Sequence, residues 1–120
     1  IMFKYYNANP LNNRVADCTT RAISLAENTS WDITYDKLSN LAREQGQMMD
    51  SVDFIEEYLD NKYPRECHYS KTIGEFLEEH PKGVYLCTMI GHITCIIDGC
   101  IYDTFDCSNR TMRCVWKIED

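Results

Sequence analysis

A cysteine, a histidine and an aspartate of this sequence stand where a thiol-based active site needs them. Cys18 follows Asp17 at the predicted start of a helix. His92 follows Gly91 at the predicted start of a strand, and Asp103 lies on the strand after it. The positive end of a helix dipole stabilises a thiolate, the nucleophilic form of cysteine. An imidazole can pair with that thiolate and later protonate a leaving group, while a carboxylate orients the imidazole. These residue types therefore predict acyl transfer through an acyl-enzyme.

Acyl transfer also needs hydrogen-bond donors for the negative oxygen that develops in the transition state. The backbone N–H of Cys18 and a side-chain amide upstream of it would supply them. Asn12 and Asn13 stand six and five residues before Cys18, so both are candidates. The alternative is that the two asparagines form only an Asx-rich turn.

The elements that must position these residues are four predicted helices followed by strands. Polar capping residues begin the helices, and Asn, Gly or Pro ends them. Asp17 is the expected N-cap of the first helix, and Ser30 or Asp32 that of the second. Thr72 and Glu75 form a capping box before the fourth helix. The expected helices lie within 17–28, 30–46, 51–62 and 72–81.

The last third of the chain consists of short β-branched and aromatic runs at 84–90, 93–97, 100–105 and 112–118. Gly91 is expected to make a sharp turn or kink between the first two runs, and a bend in one continuous strand is preferred because a single residue is too short for a hairpin. Helices followed by strands indicate an α+β class, with N-terminal helices packed on a C-terminal antiparallel β-sheet. One domain is expected over residues 2–120, since Met2 is the more natural first residue than Ile1.

Asp98-Gly99 between two apolar runs predicts a two-residue type I′ hairpin. In that register His92 and Asp103 are diagonal neighbours on one face of the sheet. Asp106 points to the other face, but one extra residue in either strand would reverse the choice. Asp103 is therefore the predicted partner of His92, and Asp106 is its alternative.

Composition and charge limit the classes of partner. Apolar residues make up 44% of the 120 residues and charged residues 26%, which is typical of a globular chain and not of a disordered one. The net charge of −7 repels phosphate backbones and anionic lipid, so neither nucleic acid nor a membrane is expected as a partner. No apolar run approaches the ~20 residues of a spanning helix, and no signal-peptide pattern is present, so a cytoplasmic location is expected.

Seven cysteines, an odd number with no C-x-x-C pair, disfavour a disulfide framework. In a reducing compartment most of the thiols are expected to stay free and to pack as small hydrophobic groups. Zinc bound through Cys67, His68 and two distant cysteines has poor ligand spacing. No metal and no cofactor is therefore expected.

The residues around the three candidates resemble the papain-like cysteine peptidase superfamily, and are most similar to its small members from phages and bacteria. The resemblance covers roughly 12–27 and 83–106 and leaves 28–82 unmatched. It rests on Asp17-Cys18-Thr19-Thr20-Arg21-Ala22-Ile23 at the helix start, on Gly91-His92-Ile93-Thr94 at the strand start, and on Tyr102-Asp103. It implies a papain-like core, with Cys18 as nucleophile, His92 as base, Asp103 as third member and Asn12 as oxyanion donor.

The resemblance implies a thiol hydrolase acting on peptide or isopeptide bonds of a peptide or protein substrate. A second hypothesis uses the same triad for peptidoglycan amide cleavage, transamidation or deamidation. A third is a non-enzymatic phage or prophage protein that binds a host factor through its acidic surface. The simplest structural alternative is that Cys18 is a buried small hydrophobe.

Overall fold

A computed structural model describes residues 2–119. Its helices are α1 (Cys18–Ala26), α2 (Trp31–Glu44), α3 (Val52–Asp60) and α4 (Ile73–Glu79). Its strands are β1 (Phe3–Tyr5), β2 (Arg65–Cys67), β3 (Val84–Met89), β4 (His92–Ile97), β5 (Cys100–Asp103) and β6 (Cys114–Glu119). The predicted α+β class is confirmed. Asp120, the last position of the expected domain, lies outside the described residues, as does Ile1.

Local capping explains where three of the four helices begin. The side chain of Ser30 accepts a hydrogen bond from the backbone N–H of Ile33, and Ser51 caps α3 in the same way. Thr72 and Glu75 make the predicted capping box of α4. At α1, Asp17 occupies the predicted N-cap position, but its side chain makes no cap hydrogen bond and binds other side chains instead.

The six strands form one sheet in the order β1-β5-β4-β3-β6-β2. Every neighbouring pair is antiparallel except β1 and β5, which are parallel. The expectation of a purely antiparallel, C-terminal sheet is therefore wrong at both edges, which β1 and β2 occupy. Each of these strands is three residues long, too short for an alternating pattern to reveal it.

Two tight hairpins fix the register of the central strands. Asp98 and Gly99 have φ values of 48° and 74°, as a type I′ turn requires, and this predicted turn is confirmed. The expected bent strand at Gly91 is wrong. β3 ends at Met89, so two residues separate it from β4, and Met89 pairs directly with His92. Gly91 takes a φ of 72° in this second hairpin.

Apolar side chains are buried on both faces of the sheet. Helices α1, α2 and α3 cover one face around the fully buried Trp116, Leu38 and Ile23. Helix α4 covers the other face through Phe76 and Ile73. Within residues 2–119, no helix is both long enough and apolar enough to cross a membrane.

Cys67 and Cys114 form a disulfide between β2 and β6. The expectation of free thiols is wrong for this pair, because the antiparallel register places the two residues directly opposite each other. The pairing also removes Cys67 as a ligand of the weak zinc site. Among the described residues, no group of three or more His, Cys, Asp or Glu side chains is placed to hold a metal ion. The free cysteines are Cys18, Cys87, Cys95, Cys100 and Cys107.

Glu27, at the end of α1, connects the three N-terminal helices through ion pairs and hydrogen bonds. Its carboxylate is 6% exposed and accepts hydrogen bonds from Lys37 of α2 and from Lys62, just after α3. The hydroxyls of Tyr58 and Tyr63 donate to it as well. Burial alone would raise the pKa of Glu27, but the hydrogen bonds from Lys62, Tyr63 and Lys37 and the charge of Lys37 lower the pKa to about 2.

Glu27→Gln is expected to lower the free energy of unfolding at pH 7 by about 2–3 kcal/mol, from a pKa difference of roughly two units. A depressed carboxylate pKa stabilises the fold above the unfolded-state pKa of about 4.3 and ceases to do so as the pH falls through about 2. Urea unfolding therefore measures the free energy of unfolding of the wild type and of Glu27→Gln at pH 7 and near pH 2. The difference between the two proteins should be smaller near pH 2. Glu44→Gln, at an exposed position of α2, is the matched control. A difference that does not depend on pH would contradict the role of the charge.

Candidate active site

The fold brings the ends of α1 and β4 together at one cleft. Cys18 is the first residue of α1, as predicted, and its side chain is half-buried. His92 is the first residue of β4, and its side chain is 8% exposed. Both line a cleft of about 220 Å³. The structural alternative of Cys18 sealed in the core is therefore wrong, because the side chain borders this opening.

The surroundings of Cys18 favour its thiolate. Burial by itself would raise the pKa of the thiol. A hydrogen bond with the His92 side chain, a hydrogen bond from the backbone N–H of Ile93 and the positive charges of His92 and Arg21 together outweigh burial. The pKa of Cys18 is consequently lowered, which is the condition for a nucleophilic cysteine.

His92 is held between Cys18 and Asp103. Its Nε2 donates to Oδ2 of Asp103 at 2.7 Å, which leaves Nδ1 for the interaction with Cys18. Burial would lower the pKa of the imidazole, but the hydrogen bonds and negative charges of Asp103 and Cys18 raise the pKa of His92 to about 9. The ring also packs against the ring of Phe105, at a centroid distance of 4.7 Å. The imidazole is therefore oriented and charged at neutral pH.

Asp103 is the most enclosed member of the group, at 4% exposure. Its Oδ2 accepts from His92 and, at 2.6 Å, from the hydroxyl of Thr94. Its Oδ1 accepts from the backbone N–H of Thr104 at 2.7 Å and from the Arg21 guanidinium at 3.3 Å. Burial would raise the pKa of this carboxyl, but the His92 and Thr94 hydrogen bonds and the His92 charge lower it. Asp103 therefore stays ionised and fixed.

Two other predicted residues lie elsewhere. Asp106 is exposed, and its carboxylate accepts from the backbone N–H of Ser108 at 2.9 Å. Asn12 is exposed in the loop before α1, has a φ of 57°, and does not line the cleft. The structure thus brings Cys18, His92 and Asp103 together and leaves Asp106 and Asn12 outside the cleft. The oxyanion role of Asn12 stays a prediction.

The cleft walls were not predicted from the sequence. Val52, Ile55 and Glu56 of α3 line the cleft, and they come from the stretch 28–82 that the resemblance leaves unmatched. Their spacing places them on one helix face, but nothing in the sequence indicates that this face meets Cys18. The other lining residues are Ala16, Thr19, Asp50, Thr88, Met89, Gly91, Ile93 and Arg113.

Comparison of the chain with protein-family models, curated proteins and solved structures finds no match. The papain-like core implied by the resemblance therefore stays a prediction. A function for the cleft must therefore be inferred from the contacts of the residues that form it. Those contacts combine a half-buried thiol of lowered pKa, a charged imidazole and a buried carboxylate.

Cys18 is expected to react with iodoacetamide at pH 6 much faster than the half-buried free thiol of Cys100. A lowered pKa keeps Cys18 as thiolate below the ordinary cysteine pKa of about 8.5. The raised pKa keeps His92 protonated up to about pH 9, so the imidazolium charge favours the Cys18 thiolate across the neutral range. Peptide mapping by mass spectrometry after brief labelling measures both rates in one sample.

His92→Ala should move the alkylation profile of Cys18 to higher pH, because the variant lacks the imidazolium charge and its hydrogen bond. His80→Ala is the matched control: His80 stacks on Phe76 and does not line the cleft. Equal rates for Cys18 and Cys100 at pH 6 would show that Cys18 is an ordinary thiol.

Proposed function

We propose that this protein is a thiol hydrolase that cleaves peptide or isopeptide bonds through an acyl-enzyme on Cys18. The observation that carries the proposal is the 2.7 Å hydrogen bond from Nε2 of His92 to Asp103. It commits one ring nitrogen to the carboxylate and leaves the other for the thiol at the cleft. A histidine packed for stability alone would not need both partners.

The first half-reaction forms the acyl-enzyme. The thiolate of Cys18 attacks the carbonyl carbon of the amide, and the carbonyl oxygen becomes negatively charged in the tetrahedral intermediate. His92 gives its Nδ1 proton to the amide nitrogen, the C–N bond breaks, and the amine leaves. The products are a thioester on Cys18 and a neutral imidazole that still donates to Asp103.

The second half-reaction restores the enzyme. Neutral His92 takes a proton from water as the water oxygen attacks the thioester carbon. The C–S bond then breaks, which releases the carboxylic acid and returns the thiolate beside the imidazolium. Asp103 keeps the ring oriented through both steps and stabilises its positive charge without taking the proton.

The cleft accounts for a polypeptide substrate. Its volume of about 220 Å³ admits side chains or a short segment of chain, but not a folded domain. Ile55, Met89 and Ile93 give it an apolar lining, while Asp50, Glu56 and Arg113 add charged groups. An extended segment or a flexible tail with an apolar residue beside the scissile bond is the substrate form that fits.

A papain-like core is part of the proposal. Its support is the placement of the nucleophile at the start of a helix that packs against β4, the strand carrying the base. The third member then lies on β5, the antiparallel neighbour of β4. The parallel strand β1 adds to this arrangement at the edge beyond β5.

Peptide libraries prepared from whole-proteome digests, together with branched isopeptides, test the proposal. The wild-type protein is incubated with them in ¹⁸O-labelled water, and new termini are identified by mass spectrometry. The expected result is cleavage that carries ¹⁸O at the new carboxyl, is lost in Cys18→Ala, and persists in the control Cys100→Ala.

The same experiment distinguishes the alternatives. Products joined to a supplied amine would indicate transamidation, and an ¹⁸O-labelled carboxyl in place of a glutamine or asparagine side-chain amide, without cleavage of the chain, would indicate deamidation. Absence of any Cys18-dependent product, with the protein folded, would overturn the enzymatic proposal and favour a binding protein.

Asp103→Asn is expected to reduce turnover by orders of magnitude, because an amide neither carries the charge that stabilises the imidazolium nor selects its tautomer. Asp106→Asn, an exposed position near the same strand, should change turnover little. The initial rate of the cleavage found above measures both. The opposite ranking would show that Asp106 is the third member, and equal wild-type activity in both variants would indicate a Cys-His dyad.

A further inference from the structure

Arg21 lies within the candidate site, where its charge favours the Cys18 thiolate, but it is not a member of the proposed triad. It follows Cys18 by one turn of α1, and its side chain is 10% exposed. Its Nη1 donates to Oδ1 of Asp17 at 2.5 Å, and its Nη2 donates to Oδ1 of Asp103 at 3.3 Å. One guanidinium thus joins the residue before the nucleophile to the third member of the triad.

We infer that Arg21 is a positioning residue that holds the Asp103 carboxylate in the rotation that presents Oδ2 to His92. The inference rests on the proposed function. It adds to the triad a buried cation that acts through Asp103 and His92 and does not contact the substrate.

The anchor for Arg21 is itself rigidly held. Oδ2 of Asp17 accepts from the indole N–H of Trp31 at 2.9 Å and from the Asn9 amide at 3.3 Å. Trp31 is the first residue of α2, and Asn9 belongs to the loop before α1. The Asp17 carboxylate is therefore held in place and in turn holds Arg21. Because these side chains occupy its oxygens, Asp17 makes no cap hydrogen bond to α1.

The two oxygens of Asp103 have separate donors. Oδ2 is bound by His92 and Thr94, whereas Oδ1 is bound by Arg21 and the backbone N–H of Thr104. Without Arg21, Oδ1 keeps no charged donor, and rotation about the last side-chain bond becomes easier. The hydrogen bond to His92 would then lose its fixed direction.

Arginine is required here because its planar fork reaches two carboxylates on different elements at once. A lysine keeps the positive charge but offers a compact ammonium, which can satisfy Asp17 or Asp103 more readily than both. Comparing Arg21→Lys with Arg21→Met therefore separates the effect of the positive charge from the effect of the two-sided hydrogen bonding by the guanidinium.

Two other thiols near the site stay protonated over the pH range of the readout, from about 5 to 9. Burial raises the pKa of Cys95 and of Cys107 to about 12, so both thiols stay neutral. The remaining charged or titratable groups that line the cavities next to Cys18 are Asp50, Glu56, Arg113, Tyr6 and Tyr102.

The test uses the full chain and three variants: Arg21→Lys, Arg21→Met, and the double variant Asp17→Asn/Arg21→Met. The double variant also removes the Asp17 charge, so Asp103 is the one carboxylate that loses Arg21, and it keeps its other donors His92, Thr94 and the backbone N–H of Thr104. The test can therefore still be carried out if Arg21→Met alone is unstable. Arg43→Met, on the exposed end of α2, is the matched control. Two quantities are measured: the pH profile of Cys18 alkylation by iodoacetamide, and the NMR signal of the His92 Nε2 proton donated to Asp103.

Arg21→Met and the double variant are expected to raise the midpoint of the alkylation profile by about one pH unit, which means about tenfold slower alkylation at pH 6. Arg21→Lys should give a smaller shift of the midpoint. All three variants should move or broaden the His92 proton signal, because the carboxylate is no longer fixed. Arg43→Met should match the wild type in both measurements.

Two outcomes would overturn the inference. One is a folded Arg21→Met variant with a wild-type His92 signal, because a shift of the alkylation profile alone would reflect only the lost Arg21 charge near Cys18. The other is a loss in Arg21→Met that the double variant restores, which would mean that Arg21 only neutralises Asp17. Failure of the proposed function would show differently, as wild-type Cys18 reacting no faster than Cys100 at pH 6, and the His92 signal would still decide the role of Arg21.

Discussion

The Asp103 carboxylate is 4% exposed, and a buried charge of this kind is stable only where donors and opposite charges replace the lost water. Its donors are His92 and Thr94 on β4, the backbone N–H of Thr104 after β5, and Arg21 on α1. One carboxylate therefore demands that a helix and two strands take a single relative position. That position also places Cys18 against the imidazole, so the geometry of the cleft follows from satisfying this buried charge.

Charges of opposite sign alternate through the site. The order is Asp17, Arg21, Asp103, His92 and Cys18, which begins and ends with an acidic group. Each cation lies between two acidic groups, so every buried ion has a partner. Cys18 ends the series at the cleft, where it is half-buried. A thiolate at this end is stabilised by groups that water reaches poorly, and Coulomb interactions are stronger there than at the surface.

Features encoded by neighbouring residues were predictable, and features encoded by distant ones were not. The 98–99 turn and the helix start at Cys18 follow from local backbone preference and patterning, and both are observed. The Asp17 side chain makes no cap hydrogen bond because three side chains, one of them on α2, compete for that carboxylate. The Cys67–Cys114 bond depends on a register between strands 47 residues apart. The three-residue strands β1 and β2 form because they pair with β5 and β6 at the two edges of the sheet, and both partners are distant in the sequence.

The cleft is built from two separate parts of the sequence. Residues 12–27 and 83–106 hold Cys18, His92 and Asp103, and these are the parts that the resemblance covers. One wall comes instead from α3, where Val52, Ile55 and Glu56 recur at the spacing of a single helix face. Bond chemistry depends on the first set, because it requires only the three reacting groups and their donors. The choice of segment depends on contacts along the wall. A resemblance confined to the first set therefore bears on the proposed bond chemistry and carries no information about the substrate.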